Sequence, residues 1–169
     1  MQPDHFHPFF KKSPTVTNEA LQNYFREQQV SLQWLPVLRA MASEMSTKMS
    51  TEELKELFSK IGERFAIDTE EHFQDVETLA QLEESLNYFW ARINWGWVSF
   101  KEAKGCIEIT HSAAPLAEAF GDEALGWSVG LLQGFYQRAF STLGASSTMS
   151  VRTVGEPTGG IDTYLRFGR

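Results

Sequence analysis

The chain has 169 residues, of which 42% are hydrophobic, and one cysteine, Cys106. That length supports one domain with a real core, and a lone cysteine excludes both an internal disulfide and a thiolate metal cage. The formal charge of −7 disfavours nucleic acid and anionic lipid as partners, and no apolar run reaches the about 18 residues of a membrane span.

Residues 1–17 form an arm ahead of a single domain, 18–169. The arm holds Pro3, Pro8 and Pro14 among Phe6, Phe9 and Phe10. Prolines deny it helix and sheet bonding. Phenylalanines gain from burial, so the arm is expected to dock on its own domain or on a neighbour. It has no long apolar stretch of a secretory signal, which favours the cytoplasm, with the periplasm as the alternative. His5 and His7 alternate without a third ligand nearby, so no metal site is expected from them.

A first helix starts near Thr17 or Asn18, good N-caps, with Leu21, Tyr24, Phe25 and Gln28 as its stripe. Pro36 restarts the helix, and a second short one follows through Val37, Leu38, Met41 and Met45. Ser46 to Ser50 read as a loop. Ser50 and Glu53 make a capping box that opens a third helix. Its expected buried stripe is Leu54, Leu57, Phe58, Ile61 and Phe65. Residues 66–74 are a connection. Asp68, Glu70, Glu71, His72 and Asp75 crowd there without any ligand spacing, and read as a solvated loop. The acidic excess lies on this middle segment: residues 50–93 carry four Lys or Arg against eleven Asp or Glu.

A fourth helix is expected from about Asp75 to Ile93, with Leu79, Leu82, Leu86, Phe89 and Ile93 on one face. Three of the five tryptophans stand between residues 86 and 100. After Asn94-Trp95-Gly96 the period changes to two, and strands 97–102 and 106–111 make a hairpin around Ala103-Lys104-Gly105. Val98 and Phe100 should share a face with Ile107 and Ile109. His111, at the end of the second strand, reads as a hydrogen-bonded structural group.

A fifth helix, about 123–143, is apolar nearly all round and therefore buried on several sides. It carries Gly126, Gly130 and Gly134 at four-residue steps. Each interior glycine costs about 1 kcal/mol relative to alanine. Such a seam makes sense where something packs on bare backbone: the molecule's own sheet, or the same helix of another subunit. With Trp127, these glycines are the candidate oligomer interface. Strands 149–154 and 161–167 flank a turn-rich loop at 155–160. The expected fold is α+β: about four helices, then hairpin, helix, hairpin, with one four-stranded antiparallel sheet.

No metalloprotease pair, nucleophile elbow, dinucleotide fingerprint or phosphate loop appears, and no catalytic residue, cofactor or metal ligand is assigned. What remains is aromatic surface, a glycine seam and an acidic face, the features of an assembly module or a ligand-holding one.

Leu86-Asn87, Ile93-Asn94-Trp95-Gly96, His111, Trp127 and Leu132-Gln133-Gly134-Phe135-Tyr136-Gln137-Arg138 together resemble the D subunit of bacterial cellulose synthase, the cellulose synthase operon protein D family. The resemblance spans roughly residues 86–140. It implies a non-catalytic accessory of cellulose secretion that forms a cylindrical homo-octamer, a tetramer of dimers. Such a cylinder guides β-1,4-glucan chains or aligns synthase complexes for crystalline cellulose, with other synthase subunits or a linking protein as partners. By analogy with the family's N-terminal arms, Phe6, Phe9 and Phe10 are the candidate glucan contacts. A small-ligand, sensor-like helix-plus-hairpin module is the alternative.

Overall fold

The computed structural model describes residues 18–155 and 161–169. Phe6, Phe9 and Phe10 lie outside them. Helices α1 (Asn18–Glu27), α2 (Leu35–Lys48), α3 (Thr51–Asp68) and α4 (Leu79–Arg92) precede strands β1 (Trp97–Ala103) and β2 (Cys106–Ser112). Short α5 (Leu116–Phe120) and α6 (Leu125–Ser128) lead into α7 (Gly130–Thr142), then β3 (Ser150–Thr153) and β4 (Asp162–Gly168). The strands form one antiparallel sheet in the order β1-β2-β4-β3. The chain is α+β as its pattern of elements implied.

Local chemistry sets the helix starts. Ser50 Oγ accepts from the Glu53 N–H, and the Glu53 carboxylate accepts from the Ser50 N–H, so α3 begins where the capping box places it. The Ser50 backbone N–H, then its hydroxyl, hold the Glu53 carboxyl below its ordinary value. A second box, Thr78 with Gln81, starts α4 at Leu79, later than the expected Asp75. Two other boundaries shift. Helix α2 continues through the stretch read as a loop, ending at Lys48, because Met45 and Met49 pack on the cluster around Leu54, Phe58 and Trp127. Helix α3 runs on to Asp68, and a 3-10 turn follows at Glu70–His72.

The long fifth helix is also interrupted. Gly121, at φ 96°, ends α5, a helix that the residue pattern does not announce, and a 3-10 turn at Asp122–Ala124 enters α6. The joint between α6 and α7 at Val129 is marked by lengthened backbone bonds, 3.4 Å from Val129 N to Leu125 O and 3.2 Å from Gln133 N to Val129 O.

One sheet face packs on the helices. Val98, Ile109, Val151, Leu165 and Phe167 are buried, with Phe100 and Ile107 half-buried beside them. The pairings Val98↔His111, Phe100↔Ile109 and Ile109↔Leu165 put these residues on one side, as alternation requires. Against them lie Trp90, Phe89, Phe135 and Tyr136, with Trp90 and Phe135 ring centres 4.6 Å apart. A second cluster joins Phe58 to Trp127 at 4.6 Å and to Phe120 at 5.2 Å.

Side chains of neighbouring helices close both sheet edges. On β1, Asn87 Nδ2 donates to Val98 O at 2.8 Å and Asn87 Oδ1 accepts from Val98 N at 2.7 Å. Glu83 accepts from Phe100 N at 2.6 Å. On β3, Gln137 Oε1 accepts from Val151 N at 2.7 Å, and its amide nitrogen donates to Met149 O. Each amide stands in for a missing strand, which blunts the edges against pairing with other chains. Replacing Asn87 with leucine strands two buried-edge backbone groups and should cost about 2 kcal/mol. Urea titration at fixed protein concentration checks this; an unchanged midpoint would mean the clamp carries no stability.

Candidate functional site

The motif residues that carried the resemblance sit largely at one corner of the core. Helix α4 ends, and the chain enters β1 through Asn94 at φ 60° and Gly96 at φ 74°. A Cβ on Gly96 would lie 1.9 Å from the Ser112 carbonyl oxygen, so the left-handed turn and the close approach both demand glycine. The turn presents the Trp95 carbonyl to His111. His111 Nε2 donates to it at 2.7 Å, which fixes Nδ1 as the acceptor of the Tyr136 hydroxyl at 2.6 Å.

His111 is 0% exposed. Burial pushes its imidazole down to about 4, against the opposing pull of the Trp95 carbonyl, and burial also pushes the Tyr136 phenol above its ordinary range. Both ring nitrogens are engaged and the ring meets no solvent, so no substrate reaches it. This is a polar pin through an aromatic core. The expectation of a structural histidine is met. The loop carboxylates are likewise placed: Glu70 pairs with Arg138 at 3.5 Å and His72 stacks on Phe89 with ring centres 5.0 Å apart. Among the described residues, no group of three or more His, Cys, Asp and Glu is positioned for a metal ion.

At Gly130 and Gly134 the glycine seam meets neither of the two expected neighbours. Gly130 and Gly134 face α3 of the same chain. A Cβ on Gly130 would lie 2.4 Å from Lys55 O, and one on Gly134 1.8 Å from Ser59 O. Gly62 on α3 replies: its Cβ would meet Leu131 O at 2.0 Å. The two helix backbones touch along this line. Trp127 is buried beside them against Phe58 and Phe120. So the bare backbone that could have met a second copy of the chain is covered from within at Gly130 and Gly134. Gly126 has only Thr51 Cγ2 near, at 3.9 Å. The seam also explains why Leu57 and Ile61 are exposed, contrary to expectation. The buried line of α3 is Leu54, Phe58, Gly62 and Ala66, centred on small residues that an apolar count overlooks.

Exposed apolar side chains gather elsewhere, on α1, on α2 and on the turn between them. Helix α1 buries none of its residues and α2 buries only Ala42. Polar contacts hold α1 in place: Arg26 pairs with Glu118, and Gln29 Nε2 donates to Ala113 O at 2.7 Å. Leu21, Tyr24, Phe25, Leu32, Trp34, Val37 and Met41 are all exposed, Leu32 at 78% and Trp34 at 59%. Seven large apolar side chains exposed between residues 21 and 41 exceed a single scattered one, and exposed apolar surface marks interaction sites. Beside it, a groove of about 570 Å³ separates α1 from the α4–β1 corner, lined by Phe25, Gln22, Gln28, Asn94 and Trp97 among others.

Among the described residues no helix is long and apolar enough to cross a membrane. No curated protein matches the chain in sequence. Among solved structures it is similar to a trafficking protein particle complex subunit 3 from Naegleria fowleri, crystallised covalently bound to palmitic acid. The two share 10% identity at a TM-score of 0.53, over 86% of this chain and 95% of that one, a likeness of fold. The family model for the D subunit of cellulose synthase matches residues 20–167, which takes in every element from α2 to β3, most of α1 and nearly all of β4. The chain belongs to the family of cellulose synthase D subunits.

Proposed function

We propose that the protein serves cellulose synthesis as a non-catalytic, homo-oligomeric accessory: an octameric cylinder, a tetramer of dimers, that guides β-1,4-glucan chains or aligns synthase complexes for crystalline cellulose. Its partners would be copies of itself, the glucan, and other synthase subunits or a linking protein. The reading favours a cytoplasmic scaffold, with periplasmic placement as the alternative. Phe6, Phe9 and Phe10 are offered as the rings that meet glucan, since pyranose C–H faces are apolar and stack on aromatics.

The observation that supports assembly most directly is the apolar surface of α1, α2 and the turn between them. Subunit contacts are proposed to use Leu32, Trp34, Val37 and Met41, with Gly126 as the part of the glycine seam still open to a neighbour. Trp34→Asp should weaken association by about 2 kcal/mol or more, as for a central aromatic anchor. Native mass spectrometry and light scattering would read this as a shift to smaller species, with the circular dichroism unchanged. A wild-type chain that stays monomeric at high concentration would sink the assembly.

The alternative, a module that holds a small apolar ligand between sheet and helices, has less support. The core there is filled with contacting rings. A partly open cavity beside Leu116, Leu125 and Val129 measures about 40 Å³. That is room for about one or two waters and not for a long acyl chain. A monomer or dimer that co-purifies with ligand would favour it instead.

A further inference from the structure

The inner face of the sheet is filled, but the outer face is open. Ser99, Lys101, Arg152, Tyr164 and Arg166 all stand exposed on it. The register sets four charged side chains in one row across the strands: Lys101↔Glu108, Glu108↔Arg166 and Arg166↔Arg152. Glu108 is engaged by Lys101, at 3.7 Å. That leaves Arg152 and Arg166 directly opposite each other, where side chains of like charge destabilise a sheet. Arg152 Nε donates to Ser150 Oγ at 3.1 Å. Arg166 makes no ion pair or side-chain hydrogen bond among the described residues. Arg169 joins the two at an open depression of about 270 Å³, whose lining holds no carboxylate side chain.

Three arginines gathered at one corner need a reason in a chain of net charge −7. A guanidinium is always charged, and its fork matches a carboxylate. The chain itself carries the complement. Residues 65–91 contain seven Asp or Glu and no Lys or Arg. Three of the seven are engaged: Glu70 with Arg138, Glu71 beside His72 at 3.8 Å, and Glu83 on the Phe100 N–H. Asp75, Glu77 and Glu84 are exposed and form no ion pair among the described residues. Within one chain, then, the arginine corner and this acidic stretch do not meet.

We propose that the arginine corner of the outer sheet face receives the acidic start of α4 from a second copy of the chain, with Arg152 and Arg166 meeting Glu77 and Glu84. The inference rests on the self-association proposed above and names one of its contacts. A tetramer of dimers requires two different subunit contacts. The apolar surface of α1, α2 and the turn between them serves one, and this ionic contact serves the other. Being exposed, the ionic contact is the one that salt weakens.

Charge exchange tests it on the full chain. One variant carries Arg152→Glu with Arg166→Glu, and the other Glu77→Lys with Glu84→Lys. Each alone should associate at least about tenfold more weakly and stop at smaller species, because like charges then face each other across the contact. Circular dichroism should be unchanged. Arg152→Gln with Arg166→Gln removes the charge without reversing it, and should also weaken association if the double glutamate variant does not fold. Mixed in equal amounts, the two charge-reversed variants should recover the full assembly, since each presents the complement of the other. Native mass spectrometry with one variant isotope-labelled reads the mixture, at about 0.1 M salt where the Debye length is about 10 Å. Folded variants that assemble as the wild type does would overturn this contact and leave self-association standing. Weakening by the arginine variants with no recovery on mixing would overturn the acidic stretch as the occupant. A wild type that stays monomeric would take down both readings.

Discussion

Gly134→Ala should destabilise the protein by about 3 kcal/mol or more, although alanine is the better helix former by about 1 kcal/mol. The added methyl would lie 1.8 Å from the Ser59 carbonyl oxygen and 2.6 Å from its carbonyl carbon. These are backbone atoms and cannot rotate aside. Either α3 and α7 separate, losing close packing along their whole crossing, or the helix distorts. Against a total stability of about 5–15 kcal/mol, that loss is large. Gly126→Ala provides the contrast. Its methyl meets nothing nearer than Thr51 Cγ2 at 3.9 Å, so it should be neutral or stabilise by up to about 1 kcal/mol. Urea midpoints for both variants, at one protein concentration, measure the difference. Equal midpoints would show that the seam does not bear on α3 in solution.

Acidification should destabilise the protein through His111. The folded imidazole sits at about 4, and the unfolded one at its ordinary 6.5. Above pH 6.5 both states hold the ring neutral and the full stability is present. As pH falls from 6.5 towards 4, the unfolded state takes up a proton that the folded state refuses. Stability is lost at about 1.4 kcal/mol per pH unit, to a total of about 3 kcal/mol. Carboxylates titrate over part of the same range, so a comparison with His111→Gln isolates the effect. The variant should start lower at pH 7, because the Tyr136 hydroxyl and the Trp95 carbonyl lose their partner, yet fall less steeply to pH 4.5. Parallel pH profiles for the two proteins would contradict the buried-histidine account. Tyr136→Phe removes one of the two hydrogen bonds and should cost about 1–2 kcal/mol at neutral pH.

The structure also reassigns what the family-like residues do. Asn87 and Gln137 clamp the two sheet edges, and Gly96 and Asn94 make the turn that delivers the Trp95 carbonyl to His111. Gly134 lets two helices touch, and Arg138 reaches Glu70. These residues maintain the scaffold. The surface offered for assembly lies elsewhere, on α1 and α2, where a stripe of apolar residues was legible as a helix but not as an exposed one.

By itself the sequence determined most of the elements and their local geometry. The Ser50–Glu53 box started α3, alternation through 97–111 gave the hairpin and its inward face, and the order of periods gave an α+β chain. Those signals lie within a few residues of one another, where backbone geometry alone sets them. Only the tertiary structure decided which apolar stripe was buried, what met the glycines, and which side chains closed the sheet. Leu57 and Ile61 look like core, but Gly62 and Ala66 face α7, because contact there depends on how little the side chains occupy. A glycine has no side chain for hydropathy to register, and its partner, Ser59 for Gly134, is chosen by the meeting of helices far apart in the chain.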